Sequence, residues 1–526
     1  MIINREIFNI SSINQHLEII SYVDKDGLVK TVNYPITNEE WFDWQYTGPK
    51  TAKLKDPVYS SWDYKGVYRK YQDFSKRISE NREHEILCER IAKYPELAAI
   101  YELNIPVTGF VDIEVEVDES GFPDPYIAKN PITTIAFVCG DQITVFGRAQ
   151  LDANQIEGII KKIEEHTKKF KTKYVFTYKY FAGDAITAEY NMLEDFFTNY
   201  FNVTPAITGW NFFGFDWPYL LNRYIKHYQR IYNSEEVGKN TVYTKLSPIH
   251  VKDSWYEHKI NGKSEKVIIP KHKVLFDYLE IYTKWDRTIE VKENSTLDFV
   301  ASAALDVTKV KHSLGFTEMW EQEPDNYVFY NAIDSVLVKE IDQKIKTAQC
   351  MYGIANLTHV DLLNNISPVR TLEIVQCEYA LMENRVFPAG KKRGEKKEYE
   401  GAFVYPTVPG IYKNIMALDF NSLYPSTQRQ FNISPDTFVC KLDKDGAEMK
   451  EIQNRFLMTG KFIRKDDEII TVSGAVFKRN QKGILPSILT AFYAKRKAAK
   501  KQMMQAQEEM DYLQKIVEER TKAAIL

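Results

Sequence analysis

The sequence predicts a multidomain protein that mixes α/β and α+β regions, and three observations predict it. The 526 residues exceed what one hydrophobic core organises, so three or more structural regions are expected. From Pro106 onward, short β-branched runs alternate with segments of helical periodicity, the pattern of a sheet covered by helices. Residues 391–400, KKRGEKKEYE, form a charge-dense linker that marks a boundary into a further region.

Residues 1–107 are aromatic and charged, with Trp41, Trp44 and Trp62 near turn signals such as Gly48-Pro49, and read as a mixed domain. VTGFVDIEVEV and PITTIAFVCG then read as neighbouring strands separated by the turn-rich SGFPDPY. LDANQIEGIIKKIEEHTKKF and ITAEYNMLEDFFTNYF repeat apolar residues at helical spacing, and PAITGW follows as a strand. In WYEHKINGKSEKVII, Asn261-Gly262 between two runs predicts a β-hairpin over Lys259 to Lys266. GAFVYPTVPG and IMALDF read as strands beyond the linker, the latter as a buried one ending at Asp419. From Leu485 the chain reads as one or two long helices with a proline near the start.

Composition narrows the function. Apolar residues make up 44% and charged residues 27%, the balance of a globular protein, and the net charge of −3 argues against a small basic DNA-coating protein. The five cysteines, Cys88, Cys139, Cys350, Cys377 and Cys440, form no CxxC pair, so neither a zinc site nor a disulfide framework is suggested and a reducing cytoplasm fits. No secretory leader and no stretch near the ~20 apolar residues of a membrane span is present, so neither export nor a membrane is expected.

The chemistry concentrates in carboxylates. Asp112 and Glu114 are two apart on a predicted strand and leave the same face. They read either as an acid-laced strand surface, since Glu116 and Asp118 continue the alternation, or as a pair sharing a cation. Asp216 follows the apolar run of GWNFFGFDWPYLLNRY, where a charge needs a partner, a metal or a role as helix cap. Tyr330 and Asp334 are four apart on a helical pattern and face one way. Together these four acids are a donor set for hard divalent cations with open positions for phosphate and water.

D-I-E, then N-x-x-x-F-D at Asn211, Phe215 and Asp216, then Y-x-x-x-D resembles, in that order, the three motifs of the DEDDy 3′-5′ proofreading exonucleases. GFPDP and FGFDWPYLLNRY are similar to the family B DNA polymerases of T-even-type bacteriophages. The resemblance implies a ribonuclease H-like exonuclease domain over residues 108–344. It also implies two Mg²⁺ (or Mn²⁺) ions on Asp112, Glu114, Asp216 and Asp334, a water oriented by Tyr330, and a melted primer end near Asn211 and stacked on Phe215. An N-terminal domain over residues 1–107, with 345–385 returning to it, would contact the template, and the Lys259–Lys266 hairpin would help move the primer end between sites.

DFNSLYPS resembles the family's polymerase motif A, and NISPDT extends the match to the phage enzymes. By that resemblance Asp419 binds the polymerase-site metals, the Phe420 carbonyl joins it, and Tyr424 sits under the incoming sugar and selects a dNTP. Tyr399, Gly401 and Ala402 in EYEGAF resemble an element that touches primer-template, here with Ala as the second small residue. Arg496 and Lys500 are similar to the triphosphate-holding pair at the start of the fingers. Residues 386–468 would be a partial palm and 469–526 the first part of the fingers.

The family's motif B, K-x-x-x-N-S-x-Y-G, and its DTDS-like motif C do not occur in the sequence. The resemblance therefore implies a split polymerase subunit completed by a second polymerase chain carrying motifs B and C, or a truncated reading frame. Contacts with a sliding clamp and other replisome proteins would run through that second chain, in the cytoplasm of a bacterial host. Two alternatives stand beside this reading: a stand-alone exonuclease with a degenerate polymerase region, and a non-catalytic DNA-binding replication factor.

Overall fold

A computed structural model describes residues 2–10, 15–36, 42–46, 59–61, 66–71, 80–100, 104–117, 121, 123–247, 255–259, 266–270, 272–285, 294–310, 314–359, 367–386 and 406–525. The chain divides into two compact units, one of Met1–Thr37 with Glu89–Thr371 and one of Asn38–Cys88 with Leu372–Leu526.

The first unit is built on a six-stranded mixed sheet in the order Val175–Tyr180, Gln142–Gly147, Ile132–Cys139, Thr108–Val115, Ala206–Gly209, Val274–Asp277. Thr108–Val115, Ile132–Cys139 and Gln142–Gly147 run antiparallel as a meander, while the outer strands join their neighbours in parallel. Strand alternation then divides the core. Val111, Ile113 and Val115 pack with Ile135, Phe137 and Ile207 on one face, under the helices Ala185–Phe196 and Asp216–Tyr232. Phe110, Ala136, Val138 and Phe276 pack on the other, against Val328, Ala332, Ile333 and Val336 of the helix Pro324–Ile345. Asp112 and Glu114 share the parity of Phe110 and so lie on the side of that helix.

Local chemistry sets the boundaries of these elements. Asp152 and Gln155 form a capping box at the helix Ala153–Thr167, and Asp184 caps Ala185–Phe196. The strands Trp255–Lys259 and Lys266–Pro270 pair antiparallel as the hairpin requires, and the Asn261-Gly262 turn lies outside the described residues. A separate antiparallel sheet of Ile2–Ile10, Gln15–Val23 and Val29–Ile36 belongs to the same unit.

In the second unit, Arg385–Val386, Tyr59–Ser61, Gly66–Tyr71 and Phe42–Tyr46 form one sheet, and Phe438–Lys441, Ala475–Lys478 and Glu468–Ile470 another. The C-terminal periodic segment is one helix, Ile484–Ile525. Its start is fastened by the NISPDT segment. Asn432 Oδ1 accepts from the Gly483 amide at 2.9 Å, Asp436 Oδ1 from Ile484 at 3.3 Å and Ser434 Oγ from Leu485 at 3.3 Å. These bonds satisfy amides that a helix N-terminus leaves open.

Two strand expectations are corrected. IMALDF is not a buried strand: residues 415–420 adopt no regular structure, and Met416, Leu418 and Phe420 are 81%, 87% and 74% exposed. A strand exists only with a hydrogen-bonding neighbour, and no described residue pairs with this run. The strand expected for GAFVYPTVPG is likewise absent from residues 406–410, and its first five residues lie outside the described set.

Candidate active site

Asp112 and Glu114 stand on the Thr108–Val115 strand opposite Ala136 and Thr134 of its neighbour. The next acid in the alternation is diverted, because Glu116 pairs with Arg148, which also donates to the Ile132 carbonyl at 2.7 Å. The acid-laced-strand reading therefore holds for Glu116 and not for the two carboxylates before it.

Asp216 is delivered by a turn that only certain residues can make. Asn211 adopts φ +59°, and the Gly214 and Phe215 amides donate to its carbonyl at 2.9 and 3.0 Å. A Cβ on Gly214 would lie 2.2 Å from Asn211 Oδ1, so a larger residue there would push the Asn211 side chain aside. Asp216 then opens the helix Asp216–Tyr232, but it does not cap it: its Oδ1 accepts from the Ile113 amide at 3.1 Å, on the strand between Asp112 and Glu114. Phe215 is half-buried with its ring 5.3 Å from that of Tyr219, and Asn211 is exposed.

Tyr330 and Asp334 come from the Pro324–Ile345 helix, on the face of the sheet that Asp112 and Glu114 share. Two residues that the sequence did not single out join them. Asn331 Nδ2 donates to Asp112 Oδ2 at 2.7 Å, and Lys309 Nζ lies 2.5 Å from Asp334 Oδ2 and 3.1 Å from the Tyr330 hydroxyl. Asn331 sits inside the Tyr330–Asp334 motif, where its i+3 spacing to Asp334 was a usable signal. Lys309 has no such signal, since only the fold brings it to the helix.

The charges of these acids act on one another. Burial, then the Asp334 charge, pushes the Asp112 carboxyl up to about 7, against the pull of Lys309 and Asn331. Burial followed by repulsion from Asp112 holds Glu114 and Asp216 well above the carboxylate range, and burial raises Asp334 despite Lys309. Burial first, then Asp334, raises the Tyr330 hydroxyl; burial lowers the Lys309 ammonium but its acidic neighbours outweigh that and raise it.

This donor set fits hard divalent cations. Buried carboxylates whose charges oppose one another gain most from a shared cation, and Asp334 Oδ1, Asn331 Oδ1 and Thr134 Oγ1 are buried without a hydrogen-bond partner among the described residues. No three His, Cys, Asp or Glu side chains among the described residues are grouped as a ready-made cage. Lys309 instead supplies the positive charge against Asp334.

In the second unit, Asp419, Phe420 and Tyr424 are exposed, Tyr424 on the short helix Leu423–Gln430. That helix lies beside the long one. Arg496 Nη1 is 3.3 Å from Ser422 Oγ, and Asn421 Nδ2 is 3.5 Å from the Tyr493 hydroxyl, so the DFNS turn and the Arg496 face of the long helix meet. Lys500 is exposed one turn further on. Tyr399, Gly401 and Ala402 lie outside the described residues.

The family profile "DNA polymerase family B, exonuclease domain" matches residues 74–298, and the profile "DNA polymerase family B" matches residues 371–524. The DNA-directed DNA polymerase of Escherichia phage RB69 is 27% identical over 406 residues, 75% of this chain and 42% of that protein. That of Enterobacteria phage T4 is 26% identical over 435 residues, 80% and 45% of the two chains. The DNA polymerase delta catalytic subunit of Drosophila melanogaster is 26% identical over 427 residues, 77% and 36%. The chain spans less than half the length of these relatives. With the two profiles covering most of its length, the chain belongs to DNA polymerase family B.

Proposed function

We propose that this chain shortens DNA from the 3′ end by two-metal phosphodiester hydrolysis, as a proofreading exonuclease, and holds the motif A part of a DNA polymerase site. The observation that carries the reading is that Asp112, Glu114, Asp216 and Asp334, from a strand, a turn and a helix far apart in sequence, come near enough for their charges to act within one set: Asp334 on Asp112 and Glu114, and Asp112 on Glu114 and Asp216. Mg²⁺ or Mn²⁺, when held by these four carboxylates, would neutralise developing charge on the phosphate, help form the attacking hydroxide and stabilise the leaving oxygen. The chain's own residues do the rest. The Tyr330 hydroxyl, held by Lys309, orients the water; Asn331 fixes the Asp112 carboxylate; Phe215 offers a half-buried ring to a melted base. The mixed sheet with its antiparallel meander and parallel outer strands is consistent with a ribonuclease H-like domain.

For the polymerase region we infer that Asp419 and the Phe420 carbonyl hold metal, Tyr424 packs under a deoxyribose, Arg496 and Lys500 hold the triphosphate, and Tyr399, Gly401 and Ala402 touch primer-template. The proximity of Arg496 to Ser422 supports this. Nucleotidyl transfer also needs a second metal-binding acid and the motif B lysine, strings that these 526 residues lack. In our reading a second polymerase chain supplies them and brings any contacts with a sliding clamp and the replisome. We place the domains at 1–107 with 345–385, 108–344, 386–468 for the partial palm and 469–526 for the first part of the fingers. The working place is the cytoplasm of a bacterial host. Among the described residues no helix is long and apolar enough to cross a membrane.

The test is incubation of the purified chain with Mg²⁺ and an end-labelled primer-template, with and without dNTPs. Shortening in both reactions, with no extension, supports the proposal; extension by this chain alone contradicts the division of the polymerase site, and a primer left intact contradicts the exonuclease.

A further inference from the structure

We propose that Asp277 is a positioning residue of the candidate exonuclease site, its carboxylate latching through the Phe213 amide the turn that aims Asp216 at the other acids. The inference rests on the metal-site reading of those acids and adds a residue that no motif singles out. Asp277 ends the Val274–Asp277 strand, level with Gly209 on the parallel neighbour, and is 4% exposed. Its two oxygens do different things. Oδ1 accepts from the Leu279 amide at 2.9 Å and the Glu280 amide at 3.4 Å, which caps the helix Tyr278–Trp285. Oδ2 accepts from the Phe213 amide at 2.9 Å.

Phe213 is the middle residue of the Asn211–Phe215 turn, whose Gly214 and Phe215 amides close on the Asn211 carbonyl. Three residues beyond the latch, Asp216 Oδ1 reaches the Ile113 amide at 3.1 Å. One carboxylate thus pins the turn from beneath and another pins its far end to the strand that carries Asp112 and Glu114. Both oxygens of Asp277 already accept from amides, which is the part of a support rather than of a metal-holding acid. It acts by fixing where Asp216 stands, and its negative charge is felt there.

The two roles separate by substitution. Asp277→Ser keeps a helix-capping oxygen but loses the second oxygen and the charge; Asp277→Asn keeps the shape and one acceptor. Mn²⁺ binding to the purified full chain is measured by electron paramagnetic resonance of the free ion, for the wild type, both variants and Asp216→Asn. The half-saturating Mn²⁺ concentration for primer shortening is measured beside it. We expect both Asp277 variants to weaken Mn²⁺ binding about tenfold, the effect typical of an outer partner of a metal ligand, and to raise the metal midpoint of shortening far more than they lower the rate at saturating Mn²⁺. A merely structural role would lower the thermal midpoint and the folded fraction without moving the metal midpoint. A wild type that binds Mn²⁺, with Asp277→Ser and Asp277→Asn binding at the same midpoint, overturns the inference alone. A wild type that binds no more Mn²⁺ than Asp216→Asn overturns the metal-site reading and the inference with it.

Discussion

Replacing Asp112 by asparagine should stabilise the metal-free protein while removing its nuclease activity. The Asp112 carboxyl is moved from its ordinary 3.8 to about 7 by burial and by Asp334. At about 1.4 kcal/mol per pH unit, that displacement corresponds to about 4 kcal/mol of strain in the charged form. Asp112 keeps part of its surface open to solvent, so roughly half, about 2 kcal/mol, is the expected effect. The sign follows from proton binding: between the two values the folded chain holds more protons than the unfolded one, so stability falls as pH rises from 3.8 through about 7. Asparagine removes the charge and still accepts from Asn331 Nδ2. In EDTA, scanning fluorimetry should therefore give the Asp112→Asn variant a melting temperature roughly 5 °C above wild type at about pH 8, and a smaller gap at about pH 5. Mg²⁺ should raise the wild type more than the variant and narrow the gap. A gap that is constant with pH, or a variant less stable than wild type at about pH 8, would refute the reasoning.

Lys309→Met should leave Asp334 without its cation and cost about 2 kcal/mol in urea unfolding in EDTA, a loss that Mn²⁺ partly restores. Arg223 donates to Glu189 and to the Ala128 and Lys129 carbonyls, so Arg223→Met should cost about 3 kcal/mol and raise hydrogen exchange over residues 125–130. Burial would raise the Glu189 carboxyl, but the bonds from His227 and then Arg223 outweigh it and hold Glu189 below the usual range, so that stabilisation is present above pH 4.5 and fades as pH falls through the lower folded value. Gly209→Ala would place a Cβ 2.4 Å from the Val111 carbonyl and should lower the melting temperature by several degrees, roughly 2 kcal/mol of strain. Asp436→Ala would remove the 2.5 Å pair with Arg385 and the acceptor of the Ile484 amide, and should increase amide exchange at the start of the Ile484–Ile525 helix.

What could be read in the sequence was periodic or carried by residue type. The alternation at Asp112 and Glu114, the four-residue step from Tyr330 to Asp334, the hairpin strands and the long C-terminal helix are all local patterns, and each stands in the structure as expected. What could not be read depends on residues distant in sequence. Lys309 reaches Asp334 only because the chain before the Pro324–Ile345 helix folds back on it, and Asp277 reaches Phe213 only because two parallel strands end level. The sequence left Asp216 as either a helix cap or a site acid, and the bond from the Ile113 amide, 103 residues away in sequence, turns its carboxylate from the cap toward the strand of Asp112 and Glu114. IMALDF misled because an apolar run reports a preference for burial, not the presence of the neighbour that a strand needs.

The most direct measurement is Mg²⁺-dependent shortening of an end-labelled primer by the wild-type chain beside the Asp112→Ala/Glu114→Ala double variant, with equal folding of the two verified by circular dichroism. The account predicts that the wild type shortens the primer from its 3′ end and that the variant, lacking two of the four clustered carboxylates, loses at least about a hundredfold in rate. Equal shortening by the two proteins, or none by the folded wild type, would contradict it.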